Sequence, residues 1–324
     1  MKKTCITGAN GFIGKSICKT LSKKNKLVVA AVRTNNSFLT IPNTSFISID
    51  NIDHNTNWSK ALENCDYVIH CASKAHVMDN KDKIEEYHLI NVEGTKNLAE
   101  QAAKAGVKRL IFLSSIKVNG ESTDIIHNNK TEKSEINSVF KHNHLPNPKD
   151  PYAISKYKAE KELWKISDNT GLEITIVRIP LVYGHGVKGN LKRLMKLVKF
   201  GLPLPFAGIQ NYRSMIGIDN LVDFLISCID HPNAAGKTFL VSDGEDLSIP
   251  NLINYLAVSM GRRARLFPFP IFLLKFLSSI FGRREEINRL IGSLRIDTSY
   301  TKEKLNWTPP ISVEEGIRRM VQGK

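Results

Sequence analysis

The stretch Thr4-Cys5-Ile6-Thr7-Gly8-Ala9-Asn10-Gly11-Phe12-Ile13-Gly14 decides the fold. A short apolar run of strand type leads directly into three glycines at every third position, and an amphipathic helical pattern follows. A glycine-rich strand-to-helix turn lets the backbone close on a pyrophosphate at a helix N-terminus, where N–H groups and the helix dipole favour negative charge. The same residues also satisfy a loosened phosphate-binding loop, because Ala9 to Gly14 is followed by Lys15-Ser16. Three features weigh against that second reading. Ala9 holds the loop's first position, Phe12 and Ile13 are bulky where a phosphate cradle needs small residues, and the strands at 67–71 and 110–114 end in Cys and Ser where magnesium would need an Asp. A nucleotide hydrolase or kinase therefore stays a remote alternative to dinucleotide binding.

Outward from the loop, apolar runs predict strands over 4–7, 27–32, 46–49, 67–71, 110–114 and 174–178, separated by helices near 13–24, 58–64, 85–105 and 152–170. Such alternation implies an α/β, Rossmann-type doubly wound parallel sheet, with ligands at the carboxyl ends of the strands. After Arg178 the chain turns to Pro- and Gly-punctuated segments, then a helix near 218–230, a strand at 237–242 and helices near 249–260, 270–280 and 313–321. The expected division is a dinucleotide-binding domain over 1–178, rejoined by 213–242, and a smaller, partly discontinuous substrate lobe from 179–212 and 243–324. The polar stretch 121–149 reads as an exposed connection and flap.

Lys and Arg number 46 against 31 Asp and Glu, a formal charge of +15. That excess suits anionic ligands. Without an Arg/aromatic-interleaved stretch, zinc-finger spacing or a long basic run, it gives no support to nucleic-acid binding. The five cysteines lack CxxC spacing, so neither a disulfide framework nor a metal site is expected, and the reading is a cytoplasmic protein. The most apolar segment, 266–281, is interrupted by Pro268, Pro270 and Lys275 and falls short of the ~20 residues that span a bilayer. It reads as a buried helix, with a helix leaning on a membrane surface as the alternative.

The acidic residue that would hold an NAD ribose is expected about 20 residues after the glycine loop. Arg33 stands there, and a guanidinium pairs with a 2′-phosphate, which tilts the cofactor from NAD towards NADP(H). Asp50 and Asn51, ending the third strand, are placed either to reach an adenine or to form a simple turn. Tyr152 and Lys156 are four residues apart, about one helical turn. A lysine ammonium beside a phenol favours the phenolate and lowers a pKa that is ordinarily about 10.

Gly8-x-x-Gly11-x-x-Gly14, Asp66-Tyr-Val-Ile-His-Cys-Ala72, Asn91-Val-Glu-Gly-Thr95, Leu113-Ser-Ser-Ile-Lys-Val-Asn-Gly120, Tyr152-x-x-x-Lys156 and Arg178-Ile-Pro-Leu-Val-Tyr-Gly184 follow in one order. That order resembles the extended short-chain dehydrogenase/reductase family, and more closely its nucleotide-sugar 4-epimerases and 4-ketoreductases, over nearly the whole chain. The resemblance implies Ser115 as the catalytic hydroxyl, Tyr152 as the acid–base and Lys156 as the residue that polarises Tyr152 and bonds the nicotinamide ribose. It implies cofactor contacts from Gly8, Gly11, Phe12, Ile13, Gly14, Arg33, Asp50, Asn51, Cys71, Ala72 and Asn91. Arg213 matches the arginine on the nucleotide diphosphate, and Asn190 and Phe206 match pocket positions. His76, Lys117 and Tyr183 are expected to face the sugar. Ser115 as a strand-end cap and Phe206 as core packing are the bland readings.

The implied reaction is hydride transfer at C4 of a UDP-sugar, for surface polysaccharide synthesis. Two outcomes share it: reduction of a 4-keto UDP-(N-acetyl)hexose, or 4-epimerisation of UDP-glucose or UDP-N-acetylglucosamine. Lys117 and Asn119 stand where UDP-galactose epimerases commonly carry Thr or Ala and Tyr, which leaves the exact sugar and reaction open, and Arg33 with the Lys117 variant leans the reading towards 4-keto reduction. The basic surface and 266–281 leave room for a peripheral membrane contact or a polyprenyl-linked substrate, and a homodimer fits the class.

Overall fold

In the computed structural model, residues 2–33, 41–74, 84–127, 134–136, 139–280, 282 and 284–323 are described. The strands are β1 (Lys3–Thr7), β2 (Leu27–Val32), β3 (Thr44–Ser48), β4 (Tyr67–His70), β5 (Arg109–Ser115), β6 (Ile125–His127), β7 (Ser134–Ile136), β8 (Glu173–Ile179), β9 (Leu181–Tyr183), β10 (Arg213–Gly217), β11 (Lys237–Leu240) and β12 (Asp246–Leu247). Seven of them form one parallel sheet in the order β11-β8-β5-β4-β1-β2-β3. This is the expected doubly wound α/β sheet. Chain order reverses between β1 and β4, so a crevice opens beyond Thr7 and His70, which are register partners.

Both faces of the sheet are covered, which is why β4 and β5 are buried along their whole length, with apolar runs in their middles, instead of alternating. One core joins Ile6, Ile17, Leu21, Ile69 and Phe224; the other joins Val29, Trp58, Val68, Leu98 and Leu163. Helix Pro151–Thr170 starts with proline at its first position and an Asp150 cap, whose Oδ1 accepts from Ala153 N at 2.7 Å. It stops at Gly171, whose φ of 75° only glycine adopts cheaply. The helix expected near 85–105 is interrupted: Ile84–Tyr87 and Gly94–Lys104 are α-helical, and His88–Glu93 between them is a π turn.

The remaining chain builds a lobe with its own core, including Leu191, Leu194, Leu252, Leu256 and Ile317. A small sheet there runs β12-β10-β9. Segment 213–242 is thus shared: β10 pairs with β9 and β12, whereas β11 pairs with β8 in the large sheet. The 121–149 connection is largely exposed over 141–149, as expected, and is tied to the lobe by Thr123 N on Ser293 O and Phe140 N on Arg295 O, both at 2.9 Å. One expectation needs correction: helix Ile271–Ile280 is not buried, because Phe272, Phe276 and Ile280 all meet solvent.

Candidate active site

The glycine loop fixes one end of the crevice. Gly8 has a φ of +63°, and a Cβ on it would come within 3.0 Å of the Ala72 backbone. A Cβ on Gly14 would lie 2.3 Å from Gly8 O, so the helix can start this close to β1 only without one. Helix Phe12–Lys23 begins at Gly11 with no side-chain cap, which leaves its first N–H groups directed into the crevice. Phe12 and Ile13 send their side chains into the apolar cores and so offer backbone only. Ser16 Oγ donates to Phe12 O at 3.2 Å within the helix, which spends on the helix a hydroxyl that a triphosphatase would place on magnesium.

From this loop a cavity of about 490 Å³ extends past Gly8, Gly11, Arg33, Asn51, Cys71 and Ala72. An adjoining cavity of about 480 Å³ is lined by Asn10, Arg33, Asp50 and Asn51. The space is elongated by this adjacency and has glycine N–H groups at one part and polar side chains at another, which fits a dinucleotide. Asn91 does not line it. Held by the π turn, Asn91 is buried, accepts from Lys74 N at 2.8 Å and donates to Lys74 O at 3.2 Å and to Ser155 Oγ at 3.0 Å. It ties the loop after β4 to the helix of Tyr152.

Ser115 ends β5, and its Oγ accepts from Lys117 N at 3.2 Å, so the cap reading is true. The same hydroxyl and that of Ser73 lie close enough to the Tyr152 phenol to act on its pKa. Tyr152 lies in the first turn of its helix with Tyr87 edge-on, ring centroids 6.2 Å apart. Burial pushes its phenol up to about 12, with the Asp150 charge and Tyr87 adding to the rise and the two serines opposing it. The expected lowering by Lys156 is absent. Lys156 Nζ turns under the strand end, donating to Leu113 O at 2.7 Å and lying 4.4 Å from the centre of the Phe112 ring. Burial brings this amine down to about 7, while Cys71 and Glu160 act to raise it. The i,i+4 spacing gave a shared helix face, but β5 captures the lysine.

Beneath the pair is a buried network that spacing did not reveal. Ser114 Oγ donates to Glu160 Oε1 at 2.5 Å, and Arg178 clamps Glu160 with Nε on Oε1 at 3.0 Å and Nη2 on Oε2 at 2.6 Å. Arg178 Nη1 also donates to Asn119 Oδ1 at 3.0 Å, whereas Asn119 Nδ2 is buried without a partner. Ser73 was also missed; its one signal is its place just past the end of β4. Lys117 pairs with Asp150 and, at 3.9 Å, with Glu121, which sets it at the mouth of the Tyr152 helix.

The lobe residues divide. Arg213 lines a cavity of about 610 Å³ with Asp124, Gln210, Lys275 and Asn288. Its Nη1 donates to Arg289 O at 2.5 Å and Gly292 O at 3.0 Å, and burial lowers its pKa against the pull of Asp124. Tyr183 needs correction: it is fully buried in the lobe core, with its hydroxyl donating to Asp243 Oδ2 at 2.6 Å, and cannot face a sugar. Asn190 is exposed in the first turn of helix Gly189–Lys199, and Phe206 packs half-buried on the lobe core. His76 lies outside the described residues. Among the described residues no cluster of His, Cys, Asp or Glu could hold a metal, and no helix is long and apolar enough to cross a membrane.

A UDP-glucose 4-epimerase of Vibrio cholerae is 41% identical to the chain over 325 residues, covering 99% of the chain and 95% of that protein. An Escherichia coli O157:H7 4-epimerase of N-acetyl-α-D-glucosaminyl-diphospho-ditrans,octacis-undecaprenol is 24% identical, covering 98% and 93%. Among solved structures, the UDP-glucuronic acid 4-epimerase of Bacillus cereus in complex with NAD aligns with a TM-score of 0.76 at 22% identity, covering 99% and 97%. At that identity it shows the fold. The sequence profile of the NAD dependent epimerase/dehydratase family matches residues 4–242, from β1 through the glycine loop, Tyr152 and Lys156 to just past β11, and the chain belongs to that family.

Proposed function

We propose that the chain is an NAD-dependent UDP-hexose 4-epimerase acting on the UDP-glucose and UDP-galactose pair. The observation that carries this reading is the junction at the end of β5, where Ser115 and Ser73 hydroxyls meet the Tyr152 phenol above a buried Lys156. The 41% identical relative of that activity supports the choice of substrate pair. The lean towards 4-keto reduction is given up, since the named relatives favour the second outcome and Lys117 is occupied by Asp150. NAD is preferred to NADP(H) because Arg33 shares its cavity with the Asp50 carboxylate, which opposes a 2′-phosphate.

In this mechanism the glycine loop and the start of helix Phe12–Lys23 hold the pyrophosphate, with Arg33, Asp50 and Asn51 at the adenosine end. NAD held there would supply a reversible hydride acceptor for sugar C4, and the positive charge of its oxidised ring would favour the Tyr152 phenolate. Tyr152 accepts the proton of the C4 hydroxyl and later gives it back, while Ser115 donates a hydrogen bond to the same oxygen. Lys156 anchors the phenol's surroundings from beneath and adds positive charge when protonated. Arg213 holds the diphosphate at a fixed distance, so the keto sugar can present its other face without leaving.

Purified protein incubated with UDP-glucose and substoichiometric NAD tests the reading. The expected result is UDP-galactose approaching an equilibrium mixture with no accumulation of NADH at 340 nm. Stoichiometric NAD(P)H consumption with a 4-keto sugar and no interconversion would overturn it.

A further inference from the structure

We propose that helix Ile271–Ile280, with the adjoining segments 196–204 and 262–267, forms a face that docks on an anionic phospholipid surface. Phe272, Phe276 and Ile280 recur at every fourth position, so they stand on one stripe of the helix, and they are 74%, 62% and 62% exposed. Phe200 is 73% exposed, and Leu202 and Phe267 are exposed as well. The two segments run side by side: Leu204 N donates to Arg265 O at 2.8 Å and Phe267 N to Leu204 O at 3.1 Å. Prolines 268 and 270 then lead from Phe267 into the helix. Large apolar side chains gathered on one face of a soluble lobe mark a binding surface.

Charge identifies the occupant. Residues 174–218 and 247–284 contain no Asp or Glu, and all the charges they carry are Lys and Arg. Lys196, Lys199, Arg262, Arg263, Arg265 and Lys275 are exposed around the apolar side chains. A second copy of the chain placed on this face would bring cations against cations, whereas a bilayer with acidic headgroups meets both the charge and the aromatic side chains. At 10 residues the helix is about 15 Å long, half of what spans the hydrocarbon, so it lies in the interface. Lys275 also lines the Arg213 cavity, so docking brings that cavity to the headgroup layer. The inference rests on exposure and charge and is independent of the reaction proposed above.

Co-sedimentation of the full chain with vesicles tests it. The protein is expected to pellet with vesicles of phosphatidylglycerol and phosphatidylcholine, to bind pure phosphatidylcholine at least about tenfold more weakly, and to be released by 0.5 M salt. A Phe272→Asp/Phe276→Asp variant and, separately, an Arg262→Glu/Arg263→Glu variant should each lose about tenfold or more in binding, with the melting temperature and UDP-glucose turnover unchanged. Binding to neither vesicle, equal binding to both, or full binding by both variants would overturn the proposal. So would a concentration-dependent dimer that the Phe variant abolishes without any vesicle binding, since that assigns the face to a second copy.

Discussion

Behind Tyr152 the large sheet and the helix packed on it supply side chains that are buried and bonded to one another, from Ser114 through Glu160 and Arg178 to Asn119. The lobe offers one half-buried arginine, an open cavity of about 610 Å³ and a helix whose aromatic residues meet solvent. The contrast separates two tasks. Proton transfer needs groups held within a few tenths of an ångström by their own partners, and the sheet provides that rigidity. Holding a nucleotide end, and meeting whatever covers the lobe, needs only an anchor and a surface.

The sharpest break of this contrast is Tyr152→Phe. It should lower kcat by about 10²–10⁴ with little change in cofactor affinity, read from steady-state rates and NAD titration. Next comes Glu160→Ala, which strands a buried guanidinium and should cost about 3–5 kcal/mol of stability in urea unfolding. A loss below about 1 kcal/mol would mean that the network is looser than its geometry. On the lobe side, Arg213→Ala should raise KM about 10–100-fold and, because it strips Arg289 O and Gly292 O of their donor, cost about 1–3 kcal/mol of stability in the same unfolding experiment.

A fourth measurement uses pH. Because burial brings the folded-state pKa of Lys156 down from 10.5 to about 7, the unfolded chain binds the extra proton between those values. Stability should therefore rise from pH 7 towards pH 10 and decline as pH falls to 7, and Lys156→Met should flatten that slope in denaturation at pH 7, 8 and 9. The smallest effect is expected for Asp150→Asn. Asparagine keeps the helix cap, and removing the charge takes away one of the causes that raise Tyr152, so the rise of kcat/KM with pH, which needs the Tyr152 phenolate, should move to lower pH.

The parallel sheet, the glycine loop, the placement of Ser115 at a strand end and that of Tyr152 and Lys156 on one helix were legible, because each depends on local pattern: apolar runs, glycine spacing, a helix period. What failed depended on distant partners. Tyr183 was assigned to a pocket by its motif, yet its hydroxyl finds Asp243 sixty residues on. Lys156 shares a helix face with Tyr152, but its amine goes to Leu113 on a strand 43 residues earlier. Helix Ile271–Ile280 looked buried because its residues are apolar, and apolar composition does not distinguish a core from a docking face. The Glu160–Arg178 clamp had no signal beyond two charges in otherwise buried elements.

The π turn at His88–Glu93 has one more residue per turn than the α-helical stretches on either side. Asn91 sits inside it and bonds both the loop after β4 and Ser155 on the catalytic helix. Loss of a single codon in this turn would let it close into a regular α-helical turn and take Asn91 off Lys74 and Ser155. Gly94, whose lack of a Cβ lets the backbone pass Ile52, follows directly after it. The register of this one turn thus makes the segment intolerant of length change, although neither Asn91 nor Gly94 is expected to touch the sugar.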